Sequence, residues 1–415
     1  MKRLNILALN PGGNSLKAEL VQCPAEQRYA FEGRSLFSVS IEAIGRKTEL
    51  SVLNGKEKAT TEPIVAENYE QAAGIFLKWW ENRARRSQLP DLSSVDAMAV
   101  RVVHGGQDFG KAVLIEAGVI EKIVQLENLA PLHNKSSVEV LGPLRYRFPN
   151  TPIYAIFDTA FHRTIPEHAS TYAIPLDLAQ RHQIRRYGFH GISHRYLLER
   201  YAHHAGKDPE NCNIVSMHLE SGCSVTAIEQ GRSIDNTMGL TPLEGVMMGT
   251  RSGDVDPSIV ALLMHEEHMT VDDVMTLLNK KSGLMGVSQT SLDTRVLMKE
   301  YDSNPNAKLA MDMFAYRVRK AVGSYVAALG SVEAIIFGGG IAENGVFVRK
   351  FVCEGLSGFG LELDGEANET TIDIEGRLSR AQSRLHAWAI PTKEGLQMAH
   401  ECSLAISGST APGQR

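Results

Sequence analysis

The chain has 415 residues, 43% hydrophobic and 22% charged, which suits two or three packed domains and excludes a disordered chain. Its net charge of -5 offers no basic excess to neutralise a phosphate backbone, so nucleic acid is not an expected partner. Cys23, Cys212, Cys223, Cys353 and Cys402 are scattered and form no CxxC pair, which argues against a disulfide framework or a zinc site and for buried free thiols.

In chain order, Met1-Lys2-Arg3 and Leu4–Leu9 have the outline of a short signal peptide. The apolar stretch breaks at Asn5 and ends at Asn10-Pro11-Gly12 without a cleavage site, so Ile6–Leu9 reads as a first strand. A small-residue turn, Asn10–Ser15, leads to a return strand through Leu20. Ala97–Val103 and Ile153–Phe157 read as buried strands, the second closed by Asp158. Tyr187–His194, dense in glycine and histidine, opens a helix ending near Gly206. Ile214–Met217 is a strand whose turn, His218–Ser224, leads to another return strand through Ile228. Asp256-Pro257 supplies an N-cap and an N1 proline for a helix over Ser258–His265. A long amphipathic helix runs from about Ala307 to Leu329 and stops at Gly330. Ala334–Phe337 is a strand before Gly338-Gly339-Gly340, and Thr392 is placed as the cap of a final helix beginning near Lys393. The polar tail Ser407–Arg415 is expected to fray. No long uncharged apolar run offers a transmembrane helix, and the cytoplasm is the default location. The alternation of strands and helices predicts an α/β architecture. The strand–turn–strand unit at Ile6–Leu20 and again at Ile214–Ile228 suggests two duplicated domains with a cleft between them.

Several clusters carry chemistry. The Asn10–Ser15 and His218–Ser224 turns can offer backbone N–H groups to phosphate, although neither is a Walker A loop. Gly338–Gly340 suits either a nucleotide contact or close packing. Arg101, inside an apolar strand, and Arg251, among small residues, need partners or a ligand; two such arginines would suit phosphoryl transfer. His190 stands beside a helix N-terminus, where anions bind. His190 and His194 form half a zinc pair without an HExxH. Asp158 at a strand end and Glu394 near a helix start are candidate Mg²⁺ organisers.

These segments together resemble the acetate kinase family. The resemblance is carried by LNPGGNSLK (9–17), RVVHGG (101–106), LAPLHN (129–134), FDTAFHRTIPEHA (157–169), RRYGFHGISHRY (185–196), SVTAIEQGRSIDNTMGLTPLEGVMMGTRSGDVDP (224–257), GGGIAEN (338–344) and PTKEGL (391–396), which span nearly the whole chain. It implies two duplicated actin-like α/β domains of the acetate and sugar kinase/heat-shock/actin superfamily. One would comprise residues 1–158 with a returning helix over 391–406. The other, residues 159–390, would hold the nucleotide and form a homodimer. It implies reversible transfer between ATP and acetate, giving acetyl phosphate and ADP by direct in-line attack with Mg²⁺ or Mn²⁺. A carboxylate is already a nucleophile at neutral pH, so no general base is needed.

Roles follow from the matched motifs. Arg101, Asp158, His190 and Arg251 resemble the catalytic set; Asn10 and Glu394 resemble the metal residues. Val103, Leu132, His133, Phe189 and Pro242, with Arg101, resemble the substrate site. Lys17, His218, Glu220, Ser221, Gly222, Asp293, Thr294, Arg295, Gly340, Ile341 and Asn344 resemble nucleotide contacts. Val103 is bulkier than the residue expected for a propionate enzyme, and Gly340-Ile341 leaves room for adenosine, so acetate and ATP are the expected substrates. The chain departs from the family at Gly13-Asn14, Thr294, Ala342 and above all Glu220-Ser221, where an acid stands in a phosphate hairpin. A kinase for propionate or another short acid, and a weakened nucleotide-binding relative, are the alternatives.

Overall fold

The computed structural model describes residues 3–25, 27–53, 60–86, 89–128 and 134–408. It divides into two compact units, Met1–Phe161 with Lys393–Arg415, and His162–Thr392.

The first unit is built on an eight-stranded sheet. Its strands are β1 (Arg3–Pro11), β2 (Leu16–Pro24), β3 (Arg34–Glu42), β4 (Glu49–Leu53), β5 (Thr60–Pro63), β6 (Ala97–Val102), β7 (Val113–Leu114) and β8 (Ile153–Phe157). They lie in the order β5-β4-β3-β2-β1-β6-β8-β7. β1 to β5 form an antiparallel meander, and β6 and β8 continue the sheet parallel to β1. β1 is buried on both faces, as its apolar run predicts. Leu7 and Leu9 join a core with Phe37, Phe76 and Trp80, in which Phe37 meets the edge of Trp80 at 5.0 Å between ring centres. The final helix, Glu394–Ser407, packs on β1, β2 and β6.

The second unit carries β9 (Ile214–Leu219), β10 (Cys223–Glu229), β11 (Arg232–Asn236), β12 (Ala334–Gly338), β13 (Gly376–Arg377) and β14 (His386–Ala389), ordered β11-β10-β9-β12-β14-β13. β9 to β11 are an antiparallel meander, and β12 and β14 run parallel to β9. Both sheets therefore share one plan: a meander, of five strands in the first unit and three in the second, whose first strand pairs in parallel with a later strand, which pairs with the next. This is a duplicated actin-like α/β fold, and the two similar hairpins in the sequence are its repeated start. The helix Gly191–Ala205 packs on β9 and β12, and the helix Pro305–Leu329 on β10.

Some local expectations shift. The long helix begins at Pro305, because Asn304 Oδ1 accepts from Asn306 N at 3.0 Å and Pro305 starts its first turn. Asp256 Oδ1 accepts from Ser258 N at 2.8 Å, but Pro257 stands at the cap position of the helix Ser258–Glu266 rather than in its first turn, so Asp256 is one residue outside the cap. Thr392 is not the cap of the final helix: its N–H donates to Glu343 Oε1 at 2.9 Å, and Lys393 occupies the cap position without a side-chain cap bond. That helix continues through Ser407; the rest of the tail expected to fray, residues 409–415, lies outside the described residues. All five cysteines are buried free thiols. Among the described residues no helix is long and apolar enough to cross a membrane.

Candidate active site

In the first unit the candidate side chains sit at the C-terminal ends of adjacent parallel strands, where α/β sheets place ligand sites. Asn10 is near the end of β1, Arg101 near the end of β6, and Asp158 directly follows β8. Arg101 Nε donates to Asp158 Oδ1 at 2.9 Å and Nη2 to Oδ2 at 2.5 Å. Arg101 Nη1 donates to Asn10 Oδ1 at 2.8 Å, and Asn10 Nδ2 donates to Glu394 Oε2 at 2.5 Å. One chain of hydrogen bonds thus links Asp158, Arg101, Asn10 and Glu394. The Asp158 side chain is 2% exposed and that of Arg101 12%, so the pair meets the need for a partner that a buried arginine creates.

The same geometry tests the fit of Mg²⁺. Asp158 has both oxygens on Arg101, whereas Glu394, at the start of a helix, is tied through Oε2 to Asn10. Glu394 and the remaining lone pair of Asn10 Oδ1 form an all-oxygen donor set, which suits a hard cation that keeps several waters. Lys17 is exposed on β2, directly opposite Asn10 in the hairpin register. The turn between them is closed by Gly12 N donating to Ser15 O at 2.7 Å. Val103 is buried just beyond β6. Leu132 and His133 lie outside the described residues.

In the second unit, His190 precedes the helix Gly191–Ala205 in the left-handed region, at φ 57° and ψ 27°. The approach to it is locked from below. His162 Nε2 donates to Phe189 O at 2.9 Å, and Asn236 Nδ2 donates to the same oxygen at 3.2 Å. Burial pushes the His162 imidazole down to about 4, so it is neutral there. A Cβ on Gly188, at φ 74°, would lie 2.7 Å from His162, which is why the residue before Phe189 is glycine.

Arg251 is held by a cinched loop. Asp254 Oδ1 accepts from Gly245 N at 2.7 Å, Met248 N donates to Arg251 O at 3.1 Å, and Arg251 Nη1 donates to Pro242 O at 3.2 Å. The β9–β10 turn meets both groups: a Cβ on Gly222 would lie 3.1 Å from His190 Nε2 and 3.3 Å from Arg251 Nη1. His190, Gly222 and Arg251 therefore form one cluster, joined by Phe189 as the chain neighbour of His190 and by Pro242 through its carbonyl, which accepts from Arg251 Nη1. His218 packs against His190 with ring centres 4.2 Å apart and ring planes tilted by 35°. Glu220 Oε2 lies 3.8 Å from His218 Nε2, and its side chain is 43% exposed.

The remaining expected nucleotide residues occupy two other places. Asp293 caps the helix Thr294–Lys299 by accepting from Arg295 N at 2.9 Å, and the Arg295 side chain returns to the Asp293 carboxylate. Gly340, Ile341 and Asn344 form the short helix after β12, with Asn344 Nδ2 donating to Gly340 O. The glycine run divides in function. A Cβ on Gly339 would come within 2.6 Å of Leu219 O and one on Gly338 within 2.8 Å of Leu197, so these two serve packing. Gly340 is exposed, and a Cβ there would meet nothing within 4 Å.

Sequence reading missed the shell behind His190. Ser224 Oγ lies 2.8 Å from His190 Nδ1 and 2.7 Å from His194 Nε2, and Ser216 Oγ lies 2.7 Å from His194 Nδ1. The available signal was a serine at 216 and another at 224 in strands otherwise mostly apolar, beside two histidines one helical turn apart. Both ring nitrogens of His194 are engaged by serines.

The sequence matches the family model of acetokinases over residues 5–400. It is 42% identical over 410 residues to an acetate kinase of Chloroherpeton thalassium, covering 96% of this chain and 98% of that one. It is 39% identical over 415 residues to an acetate kinase of Solibacter usitatus, covering 99% and 100%. Among solved structures it is similar to Porphyromonas gingivalis acetate kinase, with a TM-score of 0.87 and 34% identity over 97% of this chain and 100% of that one. A propionate kinase from Francisella tularensis gives a TM-score of 0.86 and 36% identity over 96% and 98%.

Proposed function

The chain belongs to the acetokinase family, a phosphotransferase family with a carboxyl group as acceptor, and we propose that it moves the γ-phosphoryl group of ATP to acetate, reversibly, giving acetyl phosphate and ADP. The observation that carries this reading is the placement of the two arginines. One is held by a buried carboxylate at the strand ends of the first unit, and the other stands beside His190 at a phosphate-type hairpin in the second.

In this reading a lone pair of the acetate carboxylate attacks the γ-phosphorus in line. The P–O bond to the β,γ-bridging oxygen breaks as the new P–O bond forms, and the electron pair leaves on ADP. Charge spread over the equatorial oxygens would be met in the second unit by Arg251 and His190 Nε2, which need not reorganise because each is already fixed by its own hydrogen bonds. In the first unit Arg101, fixed by Asp158 and Asn10, is assigned the same kind of contact. Asp158 keeps Arg101 in place, and Asn10 couples that arginine to Glu394. Glu394 and Asn10 would hold Mg²⁺, which neutralises phosphate charge when bound. Val103 in the first unit, and Phe189 and Pro242 in the second, are each assigned to the acetate methyl group, and the Glu220–Cys223 turn with Asp293–Arg295 and Gly340–Asn344 would receive the nucleotide. We assign the second unit the nucleotide and the subunit contact.

A homodimer is supported by the helix Ser258–Glu266, which buries none of its residues and leaves Ile259, Leu262 and Met264 at 38%, 58% and 38% exposure. Leu262→Asp should shift the native mass measured by light scattering from two chains to one. Five unpaired buried thiols and an ATP donor accord with a cytoplasmic setting.

The test is steady-state kinetics with ATP and a series of acids. Acetate should exceed propionate in kcat/KM by about tenfold, since one methylene discriminates by ~1–3 kcal/mol. Equal or better use of propionate would replace acetate by the longer acid. Transfer from pyrophosphate but not ATP would overturn the donor.

A further inference from the structure

Ser216, His194, Ser224 and His190 form one line of hydrogen bonds that ends at the candidate phosphoryl site. The contacts are 2.7 Å from Ser216 Oγ to His194 Nδ1, 2.7 Å from His194 Nε2 to Ser224 Oγ, and 2.8 Å from Ser224 Oγ to His190 Nδ1. Ser216, His194 and Ser224 have no exposed surface. Among the described residues, the two serine side chains make no other hydrogen bond.

Each hydroxyl has one proton to donate, and each neutral imidazole has one N–H and one lone pair. Three proton arrangements can then be compared. If His190 Nδ1–H donates to Ser224, and Ser224 to His194 Nε2, then His194 Nδ1–H donates to Ser216 and the Ser216 proton is left buried without an acceptor. If both histidines donate to Ser224, the Ser224 proton is the one left over. If Ser216 donates to His194 Nδ1, His194 Nε2–H to Ser224, and Ser224 to His190 Nδ1, every proton is used. A buried donor without an acceptor is costly, so the third arrangement wins. Burial also holds the His194 imidazole well below its ordinary range, with His162 and His218 pushing the same way, which keeps it neutral.

We propose that Ser216, His194 and Ser224 are positioning residues that fix His190 as the neutral Nε2–H tautomer, so that this N–H faces the transferring phosphoryl group at the Gly222 turn. His162 shows the same pattern independently. Phe189 O can only accept, so His162 carries its proton on Nε2 and receives Ser233 Oγ–H on Nδ1, at 2.8 Å. The aligned chain strengthens each donor in turn, so His190 Nε2–H is a stronger donor to phosphate oxygens.

This deepens the proposed function and rests on it only for the identity of the group His190 faces. The experiment is a nitrogen-15 long-range correlation spectrum of the full chain labelled at histidine, with His190 assigned by its loss in His190→Asn. The expected spectrum shows unprotonated Nδ1 and protonated Nε2 at both His190 and His194. Ser216→Ala should move His190 toward a tautomer mixture. It should also lower kcat about fivefold to tenfold, as loss of one buried hydrogen bond would, with KM for acetate and ATP unchanged. Ser216→Thr, which keeps the hydroxyl, should restore both. A proton on Nδ1 of His190 in the unmodified protein overturns the proposal. So does a Ser216→Ala variant whose kcat falls while the His190 shifts stay put. Should Ser216→Ala not fold, the unmodified spectrum alone decides. If that spectrum is as expected but acetate-dependent turnover is absent, the functional reading fails and the relay stands.

Discussion

Replacing Arg101 by Ala should damage both stability and rate, and the two losses can be separated. Arg101 occupies both oxygens of Asp158, whose side chain is 2% exposed. Removing the guanidinium leaves a buried carboxylate without its counter-ion, a change that costs about 3–5 kcal/mol. For a unit of this size each kcal/mol lowers the melting temperature by about 2–4 °C, so the expected loss is roughly 6–20 °C. The catalytic loss is separate: one contact to transition-state charge is worth about 3 kcal/mol, or roughly two decades in kcat. Arg101→Ala with Asp158→Asn removes the stranded charge as well as the arginine. Thermal melts should show most of the stability restored in the double variant, while a coupled assay of ADP formation should show kcat still depressed. Recovery of kcat alongside stability would make Arg101 a structural residue only. An Arg101→Ala melt equal to that of the native chain would refute the buried-pair argument.

Three further outcomes follow from the geometry. Gly222→Ala places a methyl 3.1 Å from His190 Nε2 and 3.3 Å from Arg251 Nη1, so kcat should fall at least about tenfold while the melting temperature holds; unchanged kcat would remove this turn from the site. Val103→Ala should narrow the preference for acetate over propionate, and a widened gap would show that Val103 does not bound the methyl pocket. Burial raises the Glu375 carboxyl, but hydrogen bonds from Arg200 and His204 outweigh it and hold the group below its ordinary 4.5. Because the folded value is the lower one, the stabilisation is present above the ordinary value and is lost as pH falls below 4.5 toward the folded one. Glu375→Gln should therefore lose stability at neutral pH and flatten the acid limb of a melting-temperature profile; a parallel limb would contradict the assignment.

What the sequence made legible was local. A buried apolar run ending in a small-residue turn is a strand-and-hairpin signal in either unit, so β1–β2 and β9–β10 could be seen, and their similarity pointed to duplication. The strand β3 was missed although Phe37, Val39 and Ile41 alternate with Ser38 and Ser40, because an edge-ward strand with polar alternate positions carries a weaker signal than a doubly buried one. Partners distant in sequence were not legible. Asn10 meets Glu394 only after the chain returns as its final helix, and Ser216 meets His194 only once β9 lies beneath the helix that His190 opens. Thr392 reads locally as a cap, but Glu343 takes its backbone N–H and the helix starts beyond it. The glycine run after β12 could not be divided from sequence, since the distinction between packing and open glycines depends on Leu197 and Leu219, which come from elsewhere.

The central claim is that the chain phosphorylates acetate directly from ATP. Incubation with ATP, Mg²⁺ and acetate in the presence of hydroxylamine should trap the acyl phosphate as acetohydroxamate, in step with ADP and only when acetate is present. ADP release that does not depend on acetate, or no hydroxamate at all, would contradict the account.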